Sequence, residues 1–125
     1  MKKISVPILT EEYSIIVYIG TLQEIAEQGG LYLDLEKRIM DEMLKGKRGI
    51  AYNTFRAGIN KDPIILIDGD HEYREAIATI AHEASHAMDY IQEYLGIDDR
   101  AGEVHAHGIA SVMRHALTLL KPKVL

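Results

Sequence analysis

Residues 77–95 read Ile77-Ala78-Thr79-Ile80-Ala81-His82-Glu83-Ala84-Ser85-His86-Ala87-Met88-Asp89-Tyr90-Ile91-Gln92-Glu93-Tyr94-Leu95, a run without glycine or proline. Apolar residues recur in it three and four positions apart, at Ile77, Ile80, Ala81, Ala84, Met88, Ile91 and Leu95. That period belongs to one face of an α-helix packed on a core. Asp70, after Gly69, is the expected N-cap, Glu72 and Glu75 set carboxylates at the positive end of the helix dipole, and Gly96 supplies the stop. A second helix is expected from a cap at Asp98 or Asp99 to about residue 120, ahead of Pro122. Its apolar stripe reads Ala106, Ile109, Ala110, Met113, Ala116, Leu117 and Leu120.

Upstream the pattern changes. Residues 4–9 and 13–19 are rich in Ile and Val and predict two strands, joined as a hairpin around Thr10-Glu11-Glu12. Thr21 with Glu24 has the spacing of a capping box, opening a short helix that Gly29-Gly30 ends. Asp34 caps a helix over 34–44, closed by Gly46. Residues 45–49 form a polar turn, and 50–56 and 63–68 predict two more strands, with Pro63 at a strand start. The expected fold is α+β over one domain, residues 1–125. A small N-terminal mixed or antiparallel sheet with short helices precedes a site-bearing helix and a C-terminal helix.

Of the 125 residues, 47% are apolar and 26% charged, the balance of a globular chain large enough to bury a core. There is no cysteine, so disulfides and thiolate metal sites are excluded, and any metal must be held by His, Asp or Glu. A net charge of −5 argues against a nucleic-acid partner. No run is apolar and long enough for a membrane span, and the first residues do not have the pattern of a secretion signal. The expected compartment is the cytoplasm; nothing in the sequence fixes an oligomeric state.

His82-Glu83-Ala84-Ser85-His86 is an H-E-x-x-H run inside the expected helix. Side chains four apart project from one helix face about 6 Å from each other, so two imidazoles can meet one tetrahedral zinc ion. Glu83 projects to the side, where a carboxylate can act as general base towards water activated by the metal. On the helical wheel His82, His86, Asp89 and Glu93 lie opposite the apolar stripe. A solvated polar face would also sit there, but a solvent face built on two histidines without Lys or Arg is unusual. The third ligand must come from elsewhere. Glu103, 17 residues beyond His86 and at the start of the last helix, is the first choice. His107 is the alternative ligand, or a group holding Glu103 in place. His105 and Asp89 are further candidates for a supporting bond or an alternative ligand. Tyr52, Tyr73, Tyr90 and Arg114 are the available oxyanion donors; His71 and His115 are assigned no role.

The run 82–86 followed by Gly102-Glu103-Val104-His105-Ala106-His107 resembles the gluzincin arrangement of zinc metallopeptidases, most closely the compact minigluzincin-type domains, which include small peptidases encoded by phages and prophages. The resemblance covers residues 63–120. The metzincin pattern is not met, since Asp89 and Gln92 stand where its glycine and third histidine would be. The resemblance implies zinc as cofactor, His82, His86 and Glu103 as ligands and Glu83 as catalytic base. It also implies a peptide or protein substrate bound by strand addition to 50–56 or 63–68. Two other functions remain open: a non-catalytic metal-binding or regulatory module that holds a partner, and zinc-assisted hydrolysis of another amide.

Overall fold

The computed structural model describes residues 1–9, 13–21, 23–24, 41, 45–57, 62–70, 72–100 and 102–120. The expected turn at residues 10–12, Gly29-Gly30, the helix over 34–44 apart from Asp41, and His71 lie outside them. Among the described residues four strands form one sheet: β1 (Lys2–Ile8), β2 (Tyr13–Gly20), β3 (Gly49–Tyr52) and β4 (Ile64–Asp68), in the order β1-β2-β4-β3. A short helix α1 (Thr54–Ala57) follows β3, and two long helices, α2 (Tyr73–Leu95) and α3 (Glu103–Ala116), follow β4. The architecture is α+β with a mixed sheet. Among the described residues no helix is long and apolar enough to cross a membrane.

Strand composition explains the order. β1 alternates, with Val6 and Ile8 buried and Lys3, Ser5 and Pro7 exposed, as suits an edge strand covered on one side. It pairs antiparallel with β2, Val6 opposite Ile15. β4 is Ile64-Ile65-Leu66-Ile67-Asp68 with all five residues buried, the composition of a strand enclosed on both faces. It runs parallel to β2, Ile16 beside Ile64, and antiparallel to β3, Gly49 beside Ile67. Ile65, Ile67, Ile15 and Val17 meet Ile80, Ala84, Met88 and Ile91 of α2 in one core. Tyr18, Ile64 and Leu66 form a second cluster.

Several sequence expectations change. The strand expected over 50–56 ends at Tyr52. Thr54 is fully buried and its hydroxyl donates to the Asp62 carbonyl at 2.9 Å, drawing the chain into the helical turn of α1. Asp70 does not cap α2: the helix begins after Glu72, and the Asp70 amide is taken by Asp68 Oδ1 at 3.0 Å. Asp99 does close the start of α3, its carboxylate accepting from the amides of Val104 (3.3 Å) and His105 (2.9 Å), although the helix proper opens only at Glu103. α3 stops at Ala116, and residues 117–119 form a turn.

The buried stripes also differ from those expected. On α2 the buried set is Ala76, Ile80, Glu83, Ala84, Ala87, Met88 and Ile91, while Leu95 is exposed. On α3 it is Gly108, Val112 and Ala116, and Ala106 and Ala110 face out. The small residues win because the helices approach closely: a Cβ on Gly108 would lie 2.2 Å from Met88 Sδ. Two expectations about helix ends hold as read. Gly96 ends α2 at φ 65°, and Thr21 and Glu24 form a reciprocal capping box with both bonds at 3.0 Å.

Candidate metal centre

The middle of α2 is bordered by the sheet on one side and α3 on another, and its third side lies open beside β3. His82 and His86 are exposed on that open side, with ring centroids 4.8 Å apart and Nε2 atoms 3.1 Å apart. Two nitrogens each 2.0–2.1 Å from a tetrahedral ion lie about 3.3 Å from one another. The pair therefore already has nearly the separation of two ligands on one zinc. Glu83 turns inward and is 8% exposed. Room for it comes from Gly49, where a Cβ would stand 3.1 Å from Glu83 Cγ and 2.5 Å from Thr79 Cγ2. Among the described residues no donor reaches its carboxylate. A buried carboxylate in that state calls for a cation or a proton donor beside it.

His82, Glu83, His86, Thr79 and Tyr90 form one wall of a cleft of about 520 Å³, and the chain from Lys47 to Ala51 forms the other. β3 is an edge strand among the described residues. The Asp68 amide bonds the Arg48 carbonyl at 2.9 Å, which makes positions 48, 50 and 52 those bonded to β4. The backbone N–H and C=O groups of Gly49 and Ala51 thus turn to the free edge above the cleft. The Tyr90 hydroxyl reaches one of them, the Ala51 carbonyl, at 3.4 Å. Residues 63–68, the other strand considered for peptide addition, are interior and have no free edge.

The remaining candidates gather elsewhere. Glu103 and His107 are 75% and 82% exposed, one turn apart on the outer side of α3, with 3.6 Å between His107 Nε2 and Glu103 Oε2. The cause is the rotation of α3: once Gly108, Val112 and Ala116 face the core, Glu103, His107 and Arg114 point the opposite way. His105 faces α2 instead. Its Nδ1 lies 2.8 Å from Gln92 Oε1 and its Nε2 2.9 Å from Ser85 Oγ, with Asp89 Oδ1 at 3.4 Å. Gln92 Nε2 donates to Asp99, so its Oε1 is the acceptor, Nδ1 of a neutral His105 carries the proton, and Ser85 donates to Nε2. His105 and Asp89 tie α3 to α2. Among the described residues no group of three or more His, Asp or Glu side chains is placed to hold a metal ion.

Of the four oxyanion candidates Tyr90 lines the cleft; Tyr52 packs in the second cluster, and Tyr73 and Arg114 lie outside it. Lys47 and Arg48 at the cleft mouth were read from sequence only as a turn. Their one signal is that they lead into a strand that borders the histidine helix. Arg48 is anchored there by the buried Asp68, at 2.7 Å. Compared with known protein families, curated proteins and solved structures, this chain matches none.

Proposed function

We propose that the protein is a zinc-dependent hydrolase, a metallopeptidase that cleaves peptide bonds in the cleft between α2 and β3. The observation that carries this reading is the Nε2 pair of His82 and His86, 3.1 Å apart, beside the buried Glu83 carboxylate. Bound there, zinc would supply a Lewis acid for the scissile carbonyl and raise the acidity of water. His82 and His86 would hold the ion through Nε2. Glu83 takes a proton from the attacking water and returns it to the leaving amine. The outward amide and carbonyl groups of Gly49 and Ala51 fix an extended substrate along β3, over the histidines. The Tyr90 hydroxyl, on the same cleft, would leave the Ala51 carbonyl and donate to the developing oxyanion. A cysteine-free, acidic chain suits work on peptides in the cytoplasm.

A second reading is favoured by the outward position of Glu103: a non-catalytic metal-binding module that engages a partner through the same cleft. Glu83→Gln separates the two. With peptide substrates and added zinc, the wild type should cleave, chelator should stop it, and the variant should lose at least about 100-fold in rate while binding zinc as before. Stoichiometric zinc without cleavage of a diverse peptide library by the wild type selects the binding module.

A further inference from the structure

On the far side of Tyr90 from the histidines lies a second hollow of about 220 Å³, lined by Asn53, Phe55, Tyr90, Glu93 and Tyr94. Tyr90 borders both cavities, which makes them neighbours along α2. Phe55 and Tyr94 stack face to face, centroids 4.2 Å apart and planes within 8°, and Tyr13 meets the edge of Phe55 at 6.4 Å. Tyr94 nevertheless remains 57% exposed, one of the few large hydrophobic side chains on the described surface. Glu93 is exposed beside it and has no cationic partner among the described residues. Aromatic faces with a carboxylate at the rim are the chemistry that receives a guanidinium or ammonium group, through cation–π attraction and a charge-assisted hydrogen bond.

We propose that this hollow is a substrate subsite that takes a basic side chain, arginine or lysine, of the peptide bound along β3. The sites follow one another on one side of α2, at His86, Tyr90 and then Glu93 with Tyr94. From His86 to Glu93 the helix rises about 10 Å, the length of about three residues of extended chain. The preferred basic residue therefore lies about three positions from the scissile bond. The identification of the hollow as a substrate subsite rests on the peptidase reading; its preference for a basic side chain stands on Glu93 and the aromatic pair.

The test uses the intact protein and needs no turnover. N-acetyl-arginine methylamide is titrated against it by NMR, with the phenylalanine and glutamate analogues as controls. The arginine compound should give saturable millimolar shifts at the Phe55 and Tyr94 rings, the glutamate analogue none, and Glu93→Lys should weaken arginine binding at least about tenfold. No saturable shift with arginine, or equal binding of the phenylalanine analogue, overturns the inference. Zinc titrated into the same sample reports separately on the His82 and His86 rings. Loss of that response with arginine binding intact would count against the peptidase reading and not against the basic subsite.

Discussion

At the scale of single residues, the account turns on what surrounds two imidazoles. The spacing of His82 and His86 was legible from the sequence because a helix fixes the relation of residues four apart, whatever else the chain does. The partner across the helices was not, because a residue's facing depends on how its whole helix is turned. Glu103 would need to point at α2, and it points away beside His107. The structure accordingly predicts that Glu103→Ala leaves zinc affinity within about twofold of wild type by isothermal titration. A fall of 10-fold or more, the scale seen when a metal-site residue is lost, would show that Glu103 reaches the ion. Glu83 differs from His82 and His86 in being buried, and Gly49 is what makes space for it. No periodicity in the sequence marked that glycine.

At the scale of elements, α2 is a helix with a different neighbour on each side, and α3 takes its angle from one contact. Gly108 meets Met88, which is wholly buried, at a distance no Cβ could occupy. Helix propensity alone gives Ala an advantage of about 1 kcal/mol over Gly. Overpacking at a filled interface costs about 1–3 kcal/mol. Gly108→Ala is therefore expected to lower stability by about 1 kcal/mol in urea denaturation, against the sign that propensity predicts. The existence of α2 and α3 could be read from apolar spacing. Their buried faces could be read only in part: the expected stripes held Ile80, Ala84, Met88, Ile91 and Ala116, which are buried, but also Leu95, Ala106 and Ala110, which are exposed, and they left out Ala76, Ala87, Gly108 and Val112.

The loop between these helices makes a further prediction. Hydrogen bonds from the His105 amide, and then from Val104, hold the Asp99 carboxyl below its ordinary value. A carboxyl whose pKa is lowered in the folded state contributes stability that is complete above its unfolded pKa. That contribution is lost as pH falls through the folded value. Asp99→Asn keeps a cap but removes the titration, so thermal midpoints measured below about pH 4 should fall less steeply with acid than in wild type. An unchanged acid limb would show that Asp99 does not carry this dependence.

At the scale of the molecule, the sheet exists to hold β3 against α2. β1, β2 and β4 were legible as strands from their Ile content, but which of them is interior was not: residues 63–68 stood beside 50–56 as a strand open to a substrate, and the structure encloses them between β2 and β3. The end of β3 was hidden, because Tyr52, Thr54 and Phe55 are β-forming residue types, whereas in the structure Thr54 is buried and bonded to the Asp62 carbonyl at the start of α1. What results, among the described residues, is a cleft with a free strand edge on one wall and the two histidines on the other, and of the two strands considered for substrate it is β3 that borders it. The central claim is that one divalent ion sits between these histidines. Zinc K-edge absorption spectroscopy on the zinc-loaded protein tests it directly. The account predicts one zinc per chain with two imidazole nitrogens at about 2.0–2.1 Å, both features lost in His82→Ala and in His86→Ala. Absence of stoichiometric zinc, or an unchanged spectrum in those two variants, would contradict it.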